Sequence, residues 1–79
     1  MKVIILTPEK CLFEGEAKSV KVPGASGGFE ILDRHAPILS ALEEGEIQLT
    51  DLQGTKHKFG IINGFVEVLA NEVSLLVRA

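Results

Sequence analysis

Lys18-Ser19-Val20-Lys21-Val22-Pro23-Gly24-Ala25-Ser26-Gly27-Gly28-Phe29-Glu30-Ile31-Leu32 is the stretch on which the fold reading turns. Val20 and Val22 point one way and Ser19 and Lys21 the other, the period of a half-buried strand. Pro23 then removes a ladder donor, and Gly24, Gly27 and Gly28 supply positive φ at little steric cost, so the strand stops. Phe29 to Leu32 begins a second short strand. A strand, a glycine-rich break and a strand within fifteen residues leave no room for a helix.

Working outward, the same punctuation repeats. Residues 3–6 form a continuous apolar run closed by Thr7-Pro8, which predicts a strand buried on both faces. Asp33-Arg34-His35-Ala36-Pro37 is a second break. Residues 38–44 carry helix-favouring Leu, Ala, Ser and Glu, but span under two turns between Pro37 and Gly45, and so short a helix is marginal. We assign them to a strand. Ile47 and Leu49 alternate with Gln48 and Thr50, and Asp51-Leu52-Gln53-Gly54 reads as a hairpin turn into residues 55–62, where His57, Phe59 and Ile61 share a face. Asn63-Gly64 is the strongest short turn or bulge signal. Residues 65–70 and 73–77 are two last strands joined around Asn71-Glu72. The pattern predicts an all-β chain: one compact antiparallel β-sandwich or flattened barrel of short strands over residues 1–79.

Composition narrows the function. A chain of 79 residues holds one core, and 46% hydrophobic residues exclude a disordered chain. A net charge of −3 argues against a nucleic-acid partner. The single cysteine, Cys11, forms no internal disulfide. No apolar run approaches the ~20 residues of a membrane helix, and the opening run is too short for a signal peptide, which makes the cytoplasm the default compartment. So small a domain buries only ~60% of its extended surface, leaving apolar surface outside. With four Phe and no Trp or Tyr, that surface is aliphatic, which points to a subunit.

Candidate chemistry is sparse. Cys11 and His35 are the only thiol–imidazole combination, but Cys11 lies between Lys10 and Leu12 without a glycine-rich elbow, so a semi-buried residue at a strand start is expected. Two histidines 22 positions apart and one cysteine do not make a metal site. Glu43, Glu44 and Glu46 have no apolar pocket to raise a pKa and read as a solvated turn. The loop at Gly24, Gly27 and Gly28 is followed by a strand with Glu30 rather than a helix N-terminus, so it suits close backbone approach better than phosphate. His35-Ala36-Pro37 is a rigid corner, with Ala36 held extended by Pro37. Whether that corner is presented to a partner is open at this point.

The string from Val22 through Pro37 to Leu42 resembles the signature of the epsilon subunit family of F-type ATP synthases, in which a glycine-containing loop, a short strand and a Gly-His-Ala-Pro corner lead into an aliphatic strand. Gly60-Ile61-Ile62-Asn63-Gly64-Phe65-Val66-Glu67-Val68 is similar to the family's Gly-Gly-x-x-Glu-Val segment, and the opening through Phe13-x-Gly15 fits its first hairpin. Two local departures stand out. Asp33-Arg34-His35 replaces Pro-Gly-His, and Asn63 replaces the first of two glycines, a change that Asn tolerates. The resemblance covers the N-terminal β-sandwich, with no C-terminal helical hairpin.

It implies a non-catalytic rotor subunit of the central stalk, coupling gamma to the membrane c-ring during proton- or ion-driven ATP synthesis. No catalytic residue, metal or cofactor is implied. Carried over by position, the c-ring contact falls on Gly24, Ala25, Ser26, Gly27, Gly28, Asp33 and Arg34. The gamma contact falls on His35, Ala36, Pro37, Ile38, Leu39 and Leu42. The implied location is the cytoplasmic face of a bacterial cell membrane, peripheral through the complex and without direct insertion. A free-standing β-sandwich protein-binding module is the alternative.

Overall fold

The strand that organises the molecule is the longest one. The computed structural model describes residues 1–79, in which β1 (Lys2–Leu6) is followed by the twelve-residue β2 (Cys11–Val22). Ala17 and Val20 are both buried although three positions apart, because the alternation slips by one residue at Lys18. Pairing with β5 skips there, from Ala17 opposite Asp51 to Ser19 opposite Thr50, the mark of a bulge. The bulge lets one strand serve two sheets. Its first half pairs with β1 and its second half with β3 (Phe29–Leu32) and β5 (Gly45–Asp51).

The first sheet runs β4 (Ile38–Leu42), β7 (Asn63–Leu69), β8 (Glu72–Arg78), β1 and the start of β2; the second runs β3, the end of β2, β5 and β6 (Lys56–Ile61). Their inner faces enclose sixteen apolar residues and no polar side chain, with Val3, Ile5, Val20, Ile31, Ile47, Leu49, Val66 and Leu75 fully buried. An all-β sandwich is therefore the architecture, and the ambiguous segment is strand through Leu42. Every hairpin neighbour is antiparallel. β1 and β8 pair in parallel, Val3 opposite Val73 and Ile5 opposite Leu75. No hairpin joins them, so nothing forces them to run in opposite directions.

Three local expectations change. β1 is buried on one face only, since Ile4 and Leu6 are half-exposed while Val3 and Ile5 lie in the core. Asn63-Gly64 makes neither a hairpin turn nor a bulge. β6 and β7 belong to different sheets, the chain crosses at Ile62, and Asn63 and Gly64 already pair with Arg78 and Val77. Glycine is required at 64 by close approach, because a Cβ would stand 2.5 Å from the Leu76 carbonyl oxygen. The β7–β8 turn is Ala70-Asn71, with φ of 51° and 61°, the two positive values of a type I′ turn.

Candidate partner-binding site

Outward residues of the first sheet follow from the register. Ala41 lies opposite Phe65, Phe65 opposite Leu76, and Leu76 opposite Leu6, so four apolar side chains cross four strands in one row. Phe65 is 58% and Leu76 57% exposed. Leu39, two residues along β4, is 72% exposed and extends the patch at the sheet edge. Leu6, Thr7, Pro8, Phe65, Leu76 and Arg78 line a groove of about 390 Å³. Contiguous apolar surface of this kind marks a contact.

Of the expected gamma-facing residues, Ala36, Pro37 and Leu39 are exposed and His35 and Ile38 half-buried. Leu42 is 4% exposed and belongs to the core, so it offers no surface. The alternation of β4 turns Leu42 inward with Ile38 and Ser40, and leaves Leu39 and Ala41 outside. Phe65, Leu76 and Leu6 lie outside the expected gamma contact. The signal that finds them is cross-strand register, which joins three segments far apart in the chain.

The expected c-ring residues form two separate patches. The glycine loop and the Asp33-Arg34 corner lie at opposite ends of β3, roughly 17 Å apart at strand rise. In the loop, Gly24 is buried and bridged to Leu42, and a Cβ there would meet the Gly27 carbonyl oxygen at 2.6 Å. Gly24 is thus structural. Ala25, Ser26, Gly27 and Gly28 form the exposed tip, and of the loop glycines only Gly27, at φ 125°, has positive φ. The Ala25 amide donates to the Ala41 carbonyl at 2.9 Å, fastening the loop to the edge of β4.

At the corner, His35 N–H donates to the Leu32 carbonyl and Arg34 has φ 63°. That is the type II pattern, with Arg34 where glycine is favoured. The side chain of Asn71 holds it, accepting Arg34 N–H at 2.7 Å and donating to Asp33 Oδ1 at 3.0 Å. Asp33 Oδ1 also accepts from the Met1 ammonium at 2.9 Å. This ammonium bond, seconded by Asn71, holds the Asp33 carboxyl below the usual aspartate range. The corner is therefore pinned to β1 and to the β7–β8 turn.

Cys11, His35 and Asp51 are engaged locally. Cys11 is exposed, not semi-buried, because it pairs with Leu6 on the outer face of the first sheet; its thiol donates to the Phe13 carbonyl at 3.4 Å. His35 Nδ1–H donates to the Ala36 carbonyl at 2.7 Å, so thiol and imidazole are not paired. Asp51 accepts from His57 Nε2–H at 2.9 Å and from the Gln53 and Thr55 amides. The His57 bond lowers the Asp51 pKa most, and the ring of His57 lies 5.4 Å from that of Phe13.

Residues 1–79 match the ATP synthase delta/epsilon chain β-sandwich domain over their whole length. The chain belongs to this family. It is 43% identical over 77 residues to the ATP synthase epsilon chain of Chlorobium limicola, covering 98% of this chain and 88% of that protein. To the epsilon chain of Leptospira interrogans serovar Lai it is 40% identical over 77 residues, covering 96% of this chain and 59% of the longer relative. The fold is shared with a chain of the Euglena gracilis mitochondrial ATP synthase OSCP/F1/c-ring structure, at TM-score 0.90 and 16% identity, covering 98% of this chain and 49% of that one. A chain of the Tetrahymena thermophila mitochondrial ATP synthase central stalk and c-ring gives TM-score 0.81 and 21% identity, covering 100% and 63%. The chain thus corresponds to most of the Chlorobium relative and to about three fifths of the Leptospira one.

Proposed function

We propose that this chain acts as a non-catalytic epsilon-type subunit of the rotor of an F-type ATP synthase, joining gamma to the membrane c-ring while an ion gradient drives ATP synthesis. The observation that carries the reading is the apolar row Ala41–Phe65–Leu76–Leu6, extended by Leu39, on a domain with a fully apolar core. A side chain already half outside costs nothing to fold and gains only when a partner covers it. Gamma covers this row and the adjoining corner Ala36-Pro37. The c-ring loops meet the small, polar tip Ala25 to Gly28, with Arg34 as a second, separate touch point. The chain is held at the cytoplasmic face of a bacterial cell membrane through these partners and does not insert.

The test is co-purification with gamma and the c-ring at physiological salt. Leu39→Asp and Phe65→Asp should each weaken gamma binding by about 2 kcal/mol or more, roughly 30-fold, by placing an unpaired carboxylate under the partner. Both sites are exposed, so the variants should melt near the parent temperature. Unchanged affinity in both would place gamma elsewhere. A monomer that captures neither partner would return the chain to a free-standing binding module.

A further inference from the structure

Carboxylates dominate one margin of the apolar row, whereas the other carries Arg78 beside the β1–β2 turn with Glu9 and Lys10. On one side, two residues along each strand, Glu67 lies opposite Ser74, Ser74 opposite Ile4, and Ile4 opposite Glu14. One row beyond are Glu72, Lys2 and Glu16. On the other side, Asn63 lies opposite Arg78, which rims the groove. The charged residues among them are exposed, and Glu14, Glu67, Glu72 and Arg78 take part in no ion pair; the molecule's ion pairs involve Met1, Glu16, Asp33, Arg34, Asp51 and His57. Strand rise puts Glu67 and Arg78 about 13 Å apart along the strands, with Phe65 and Leu76 between them.

We propose that this face reads the polarity of its partner. It docks an apolar strip of gamma with lysine or arginine along the margin that meets Glu67 and Glu14, and a carboxylate along the margin that meets Arg78. The inference rests on the docking reading above and adds orientation to it: apolar contact alone leaves a flat sheet free to seat a strip either way round, and the charged margins admit one. A second copy of this chain is the poorer occupant. Antiparallel stacking of two such faces would set Arg78 against the carboxylate margin but leave most of the glutamates unpaired, on molecules each carrying a net charge of −3.

The experiment measures binding of purified gamma subunit of the same synthase to the full chain across a salt series. Arg78→Glu and Glu67→Lys should each weaken binding about tenfold at low ionic strength, and the loss should shrink in 1 M salt, where the Debye length is about 3 Å. The neutral variants Arg78→Gln and Glu67→Gln, which add no new charge, should give smaller losses in the same direction. Lys58→Glu, on the outer face of the other sheet, should leave affinity unchanged. If Phe65→Asp abolishes binding while the variants at 67 and 78 bind like the parent at every salt concentration, gamma docks here without charge readout and the proposal fails. If Phe65→Asp leaves binding intact, the docking reading itself fails. Salt-independent losses at 67 and 78, or a chain that sediments as a dimer through this face, would also overturn it.

Discussion

Arg34 holds a backbone conformation that costs an L-residue about 1–2 kcal/mol, and Asn71 holds it there. Arg34→Gly removes that strain, gives back part of it through a freer unfolded chain, and loses only an exposed 4.0 Å contact to Asp33. The expected net gain is about 0.5–1 kcal/mol, a Tm rise of roughly 3–6 °C in a thermal melt. Asp33 and Asp51 make a second prediction. Both carboxyls are held below their ordinary range, Asp33 first by the Met1 ammonium and Asp51 first by His57. A depressed folded pKa stabilises above the unfolded value and is lost as pH falls through the folded one. Melting temperature should therefore be insensitive to these groups near neutrality and drop below about pH 4. Asp33→Asn and Asp51→Asn should each flatten that acid limb.

Among the elements, β7 depends most on a single atom's absence. Gly64→Ala places a Cβ 2.5 Å from the Leu76 carbonyl oxygen and 2.8 Å from Val77 Cγ1, and backbone on the neighbouring strand has little room to yield. Overpacking of this kind costs about 1–3 kcal/mol, and urea denaturation should show it as a lower midpoint at unchanged slope. The elements also show what sequence periodicity can carry. Residues 18–22 were legible because one face of the strand is apolar and the other polar. Cys11–Glu16 was not, since an inward Gly15 supplies no hydrophobic beat and the bulge at Lys18 shifts the phase. In β4 the run Ile-Leu-Ser-Ala-Leu puts apolar residues on both faces, so nothing local separates core Leu42 from exposed Leu39.

At the scale of the molecule, the sandwich was readable from turn chemistry, whereas the binding face was not, because it is assembled from β4, β7, β8 and β1 by pairings between distant segments. Only two of those four strands, β7 and β8, are joined by a tight turn. The parallel join of β1 with β8 ties residues 2–6 to residues 72–76, nearly the widest separation this chain allows. Deleting β8 removes the central rib of the first sheet and strips Val73, Leu75 and Val77 from the core. Residues 1–71 should accordingly show no cooperative melt in circular dichroism, whereas a split chain supplied with β8 as a separate peptide should regain one. During synthesis, the same closure makes assembly an all-or-nothing event. The leading strand waits with one flank unzipped until its distant neighbour leaves the ribosome, and in that interval the nascent chain is most exposed to aggregation.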